Sequence, residues 1–263
     1  MPLEPEIREY YDQGLEHDRL TARPSLELLR TRVLLQRFLP AAPARVLDVG
    51  GGSGVYATWL MSLGYDVELI DPVPLHVEQA RAAGVAARSG DARSLAEPDG
   101  SYDAVLLLGP LYHLVDRADR VRALTEAARV TRAGGPVIAA AISRYASLLE
   151  GFYRHYLDLP GFTEAMRQDV DSGLHLNPTR AAQRFTTAYF HTRDDLLGEV
   201  TEAGLTAPVV LPVESLLHWA PRLEERLADP QQRALILTLI EQTEADPALA
   251  GASAHLLAAG RAN

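Results

Sequence analysis

The 263-residue chain contains no cysteine, which excludes disulfides, thiolate catalysis and zinc sites built on cysteine in one step. Lysine is absent as well, so all 25 basic side chains are arginine, a codon bias that carries no functional reading. An excess of positive charge is also missing. The 35 acidic and 25 basic residues leave a formal net charge of −10, and such a field repels a phosphate backbone and disfavours nucleic acid as a partner. No apolar run approaches membrane-spanning length, and Glu4, Glu6 and Arg8 place charges where a signal peptide needs an apolar stretch. The expectation is a cytoplasmic protein with no membrane partner. Internal repeats and low-complexity tracts are lacking, so organisation is read from hydrophobic periodicity.

What is present is globular in character: 47% of the residues are apolar and 23% charged, enough to bury a sizeable core. One domain with insertions is expected over 1–263. Two helices open the chain, one at about Glu4–Leu20 and one starting near Ser25 and ending by Pro40, together an N-terminal lid over 1–44. From Arg45 to Ile142 strands and helices alternate, the pattern of a parallel sheet covered on both faces. The strands are Val46–Val49, Val67–Ile70, Val85–Arg88, Ala104–Leu108 and Val137–Ile142, with helices at about Val55–Leu63, Leu75–Ala83 and Arg120–Ala133. Gly64 is placed to close the first of these helices and Gly134-Gly135 the last, giving five βα units. A helical cover is expected over 143–192. In 193–263 come a helix at about Arg193–Ala203, a strand at Val209–Val213, a second helical insertion at about Ser215–Ala245 and a last strand near His255–Ala259. The fold class is α/β, a doubly wound sheet.

The segment Val46-Leu47-Asp48-Val49-Gly50-Gly51-Gly52-Ser53-Gly54-Val55 reads as a strand, a glycine turn and a helix start. Glycine there lets backbone approach a ligand closely, and the helix N-terminus offers unpaired N–H donors, which suits a nucleotide-like ligand. A nicotinamide-dependent dehydrogenase would need glycine at position 55, counting G-x-G-x-x-G from Gly50, and that position is Val55. The chain instead has acid-x-G-x-G-x-G, with Asp48 ahead of Gly50, Gly52 and Gly54.

This pattern resembles motif I of class I S-adenosylmethionine (SAM)-dependent methyltransferases of the small-molecule kind. The resemblance implies a Rossmann-like fold with a seven-stranded, mostly parallel sheet, SAM as cofactor and S-adenosylhomocysteine as product. It also implies a glycine loop around the methionine part of SAM, with Asp48 near its amino group. Asp71, followed by Pro72, ends the second strand 21 residues after Gly50, close to the spacing at which a carboxylate meets a ribose hydroxyl pair; a helix-capping role is the alternative. Gly90-Asp91-Ala92 looks like the family's adenine turn, with Asp91 accepting from the exocyclic amine. Leu108 and Gly109 lead to Tyr112 and His113 at the end of the fourth strand, where the family places groups between sulfonium and acceptor. Imidazole titrates near neutrality, which makes His113 a candidate general base; orienting the acceptor or capping the next helix are its other roles. Tyr11, in Tyr10-Tyr11-Asp12-Gln13-Gly14, resembles the lid tyrosine that closes over SAM, or packs the helix onto the sheet.

His175, His191, His218 and His255 show no two-histidine spacing on one helix face, and most of them are expected to be structural or exposed. No metal is expected. No serine lies in a G-x-S-x-G context, which argues against an esterase. The resemblance implies methyl transfer to an oxygen, nitrogen or carbon nucleophile of a small molecule, as in specialised metabolism. Other SAM chemistry on this scaffold, such as cyclisation, and a non-catalytic SAM-binding role stay open, as do the acceptor and the oligomeric state.

Overall fold

A computed structural model describes residues 11, 25–177 and 185–263. The first expected helix lies outside the described residues except for Tyr11, which is helical. Helix α1 spans Leu26–Phe38, and the Ser25 side chain caps it by accepting from the N–H of Leu28. Five strands follow: β1 (Arg45–Val49), β2 (Asp66–Asp71), β3 (Ala86–Ser89), β4 (Ala104–Leu107) and β5 (Pro136–Ile142). Helices α2 (Val55–Ser62) and α3 (Pro74–Ala82) follow β1 and β2, and α4 (Arg117–Val130) joins β4 to β5. Then come α5 (Ala146–Tyr153), α6 (Phe162–Ser172), the short strands β6 (Leu174–His175) and β7 (Ala188–Tyr189), and α7 (Arg193–Glu202). Strand β8 (Thr206–Pro212), helices α8 (Leu223–Ala228), α9 (Pro230–Thr243) and α10 (Pro247–Ala250), and strand β9 (His255–Arg261) complete the chain.

Seven strands form one sheet in the order β3-β2-β1-β4-β5-β9-β8, parallel through β5, with β9 antiparallel to both of its neighbours. After β3 the chain crosses back over β1 to place β4, so the connections leaving β1 and β4 diverge to opposite faces. A crevice opens at the carboxyl ends of these two strands, the place where open α/β sheets hold ligands. Both faces are covered. Leu34, Leu35, Leu60 and Val77 pack with Leu69, Leu106 and Ile138 on one side; Leu124, Ala127, Leu196 and Val200 pack with Val105, Leu107 and Val137 on the other. Each buried leucine or valine contributes about 1.5–3 kcal/mol relative to exposure, so the sheet is the rigid part of the molecule.

The structure departs from the expected elements in four places. No helix joins β3 to β4: residues 90–103 run as turns, which leaves four βα connections at most rather than five. The segment carries Pro98 and Asp99-Gly100, and it is held to α4 by Arg129, whose guanidinium donates to the carbonyls of Leu95 and Glu97. Helix α4 begins and ends three residues earlier than its apolar pattern suggests. Asp116 caps it by accepting from Ala118 N–H, and Thr131 turns extended to bridge Tyr102. Gly134-Gly135 therefore does not close that helix; it forms the turn into β5, where a Cβ on Gly135 would sit 2.7 Å from the carbonyl oxygen of Asp103. Lastly, the first insertion is not wholly helical, since β6 and β7 pair antiparallel within it.

Candidate active site

The glycine turn is shaped by what surrounds it. Gly50, Gly52 and Gly54 all have positive φ (70°, 58° and 85°), which L-residues with a Cβ rarely adopt. A Cβ on Gly51 would lie 2.5 Å from Asp48 Oδ2, and one on Gly109 would lie 2.7 Å from the carbonyl oxygen of Gly50. The β1 and β4 turns thus touch backbone to backbone. At Gly52 a Cβ would meet no atom of the described residues within 4 Å, and the residue lines a cavity of about 740 Å³. Gly54 does not line that cavity. It starts α2 and lies where a Cβ would press on Ala80, so its part is to let α2 pack close to α3.

Asp71 stands at the end of β2, in the cavity wall and 4% exposed. Its Oδ2 accepts from Gly52 N–H at 2.9 Å, tying the carboxylate to the glycine turn. Its Oδ1 accepts from Val73 N–H at 2.9 Å and lies 3.1 Å from His76 Nδ1; α3 starts after Val73 with no side-chain cap, so Asp71 braces the turn before the helix and does not cap it. Pro72 lines the cavity beside it. Asp91 and Ala92 also line it, but Asp91 is engaged at both oxygens by Arg93, at 2.6 to 3.0 Å. Burial works against the charge on Asp91, and the hydrogen bonds from Arg93 outweigh it, holding the carboxyl below its usual range.

Asp48 is where the site departs from the sequence reading. Its side chain is fully buried behind Gly51 and does not line the cavity. Neither carboxylate oxygen has a hydrogen-bond partner among the described residues, and burial, with the nearby Asp71 charge, pushes its pKa up to about 7. An orphaned buried acid one backbone layer from the cavity fits a cationic group on the other side of that layer better than direct contact with it.

At the end of β4, Leu108, Gly109, Tyr112 and His113 all line the cavity. Residues Leu111–His113 form a single 3-10 turn, and the next helix is capped by Asp116, so His113 has no capping role. Tyr11 reaches His113: the phenol oxygen is 2.6 Å from Nε2, and its ring stands edge-on to His76 and His113 at 5.1 and 5.2 Å. Tyr10 lies outside the described residues. The expectation that His113 titrates near neutrality is corrected, because burial, helped by the neighbouring His76, pushes its pKa down to about 3. An imidazole neutral across the physiological range is a hydrogen-bond partner and a feeble base.

The same cavity continues past β5. Glu27 from α1, His218 and Trp219 from the turn after β8, and Ala254 and His255 at the start of β9 form its far wall. His218 and His255 thus both face the cavity. His175 also lines the cavity, its Nδ1 2.9 Å from Asp169 and its ring stacked on Phe190; His191 is buried behind the site against Glu199. One possible ligand atom each from Glu27, Glu214 and His255 lies within 4.8 Å of the others, the one such group among the described residues. Positions 27, 214 and 255 carry no spacing signal that a sequence could show. Glu214 is already engaged there by donors from Ser253 and His255.

Comparison with known proteins bears on the near half of this cavity. Residues 46–135 match the family model described as a methyltransferase domain. These residues carry a methyltransferase domain. It is 44% identical over 99 residues to an uncharacterized methyltransferase of Mycobacterium tuberculosis, covering 37% of this chain and 39% of that one. It is 32% identical over 143 residues to a ubiquinone biosynthesis O-methyltransferase of Methylocella silvestris, covering 52% of this chain and 48% of the relative. The chain thus spans less than half the length of these curated relatives. A solved SAM-dependent methyltransferase of Thermotoga maritima, described as a possible histamine N-methyltransferase, shares the fold over 98% of this chain and all of its own, with a TM-score of 0.62 at 18% identity. The methyltransferase-domain match ends at residue 135, so β5, both insertions and β8 and β9 lie outside it. Among the described residues no helix is long and apolar enough to cross a membrane.

Proposed function

We propose that the chain transfers the methyl group of SAM to a hydroxyl of a small molecule. One observation carries this reading: a single cavity joins the glycine turn and Asp71 to a far wall built from β5, β9 and the insertions. Its volume of about 740 Å³ lies within the range of small-molecule and cofactor sites. The methyltransferase-domain match covers the near wall, and the likeness to an O-methyltransferase favours oxygen as the nucleophile.

The near wall suits SAM residue by residue. Asp71 is placed to accept from a ribose hydroxyl pair while it pins Gly52. Gly50 and Gly52 leave room for the methionine part, Asp91 with Arg93 and Ala92 form the adenine end, and Asp48 lies buried behind the turn. When bound, SAM supplies an electrophilic methyl on a sulfonium. Leu108, Gly109 and Tyr112 wall the space between the two ligands, and His113 holds the Tyr11 hydroxyl over it. The contribution of these residues is alignment of the two reactants and exclusion of water.

Product analysis tests the reading. The full chain incubated with SAM and a panel of phenols, enols and amines is expected to yield S-adenosylhomocysteine with a methylated hydroxyl compound, read by mass spectrometry. Methylthioadenosine as the product, or turnover confined to amines, would contradict it.

A further inference from the structure

The methyl-transfer reading leaves an unassigned proton, because a hydroxyl that accepts a methyl group must lose one and His113 is too weak a base to take it. The far wall contains another imidazole in a different setting. His255 opens β9 opposite Ile142 of β5, two strands beyond β4, on the side of the crevice away from Asp71. Its Nδ1 lies 2.6 Å from Oε1 of Glu214, and its backbone N–H donates to Oε2 of the same carboxylate at 3.0 Å.

Glu214 is built into place. It is fully buried directly after β8, and the Ser253 hydroxyl donates to its Oε2 at 2.9 Å while accepting the backbone N–H groups of Glu214 and Ser215, each at 3.1 Å. Ser215 has a φ of 55°, a costly conformation for a residue with a side chain, and this network holds it. Burial works against the charge on Glu214, but the imidazoles of His255 and His218 outweigh it and keep the carboxyl below its usual range. A charged, fixed acceptor on Nδ1 makes that nitrogen the donor and leaves Nε2 as the basic atom of a ring that lines the cavity.

We propose that His255, oriented by Glu214, accepts the proton of the methyl acceptor, and that the acceptor is a phenol or enol that arrives protonated. The inference rests on the methyl-transfer reading. In the step, the acceptor oxygen bonds to the methyl carbon as the carbon–sulfur bond breaks with its electron pair left on sulfur. The hydroxyl proton passes to Nε2 of His255, and the imidazolium is balanced by the Glu214 carboxylate. Glu214 is a positioning residue in this scheme. Among the described residues, Glu27 from α1 and His218 from the turn after β8 also face His255 and Glu214.

The test uses 4-nitrophenol, whose visible absorbance reports its own ionisation, on the full chain saturated with S-adenosylhomocysteine. In a buffer acidic enough to keep free 4-nitrophenol mostly protonated, the wild-type complex is expected to shift it toward phenolate by about tenfold or more. His255→Gln should bind S-adenosylhomocysteine with wild-type affinity, showing that it is folded, and lose the shift. Glu214→Gln should reduce the shift and move the histidine NMR signal of His255 toward the other tautomer. Equal ionisation in wild type and His255→Gln, or no binding of the phenol, would overturn the proposal while leaving the SAM site standing. A shift that needs added magnesium or zinc and vanishes with EDTA would overturn it in favour of a cation held by Glu27, Glu214 and His255. Failure of the wild type to bind S-adenosylhomocysteine would instead strike the reading beneath it.

Discussion

Asp48 and His113 sit on opposite sides of the β1 and β4 turns, and burial moves their pKa values in opposite directions. Asp48 rises from 3.8 to about 7, so between these values the folded chain keeps a proton that the unfolded chain releases. Its contribution to stability is complete below about 4 and is lost as pH rises through 7, a swing on the order of 4 kcal/mol. His113 falls from 6.5 to about 3, so the unfolded chain takes up a proton that the folded chain refuses. Its contribution is present above 6.5 and is lost as pH falls toward 3. Across the shared window the slopes of these two residues oppose each other. Relative to wild type, Asp48→Asn is expected to gain stability as pH rises from about 4 to 6.5, and His113→Gln to lose stability over the same range, while the lowered His191 and His218 act alike in all three proteins. Urea midpoints measured across that range check this; two variants with parallel profiles would remove the assigned shifts.

Among the elements, α4 and α7 are locked together by a buried charge network that also holds the site. The guanidinium of Arg120 in α4 grips Glu199 in α7 at 2.7 to 3.1 Å, lies 3.7 Å over the Tyr189 ring and donates to the carbonyls of Leu114 and Val115. Those carbonyls directly follow the Tyr112-His113 turn. Removing one partner of a buried pair leaves an uncompensated charge, so Arg120→Ala is expected to destabilise the chain by about 3–5 kcal/mol. Denaturant unfolding reads this, and a loss under about 1 kcal/mol would mean the network is incidental. Sequence periodicity located α4 but not its ends, because Asp116 and the Tyr102 bridge to Thr131 set them and neither follows the apolar pattern. The missing helix between β3 and β4 has the same cause: the Arg129 contacts that hold that segment join residues more than 30 apart.

At the scale of the whole molecule, the two halves of the cavity differ in how legible they were. The near half is local in sequence. Gly50, Gly52, Asp71, Asp91 and Gly109 each follow a parallel strand at its carboxyl end, so strand periodicity and the glycine pattern place them together. Asp48 shared that pattern but faces the far side of Gly51, a direction that only the turn's close packing decides. The far half draws on residues 27, 218 and 255, which meet only because β9 returns antiparallel between β5 and β8. No spacing encodes that return. His76 and Arg93, which hold Asp71 and Asp91, escaped notice because an isolated histidine or arginine on a helix or turn has many ordinary uses.

In the proposed function the near half holds SAM through Asp71 and the glycine turn it pins. Calorimetric titration of S-adenosylhomocysteine into wild type and Asp71→Ala tests this most directly, with circular dichroism confirming that the variant is folded. Asp71 both anchors Gly52 N–H and faces the cavity, so losing charge-assisted hydrogen bonds there is worth about 1.5–3 kcal/mol. Saturable one-to-one binding to the wild type is expected, with an affinity lower by about tenfold or more in the variant. Wild-type affinity in a folded Asp71→Ala protein, or no binding to either, would contradict it.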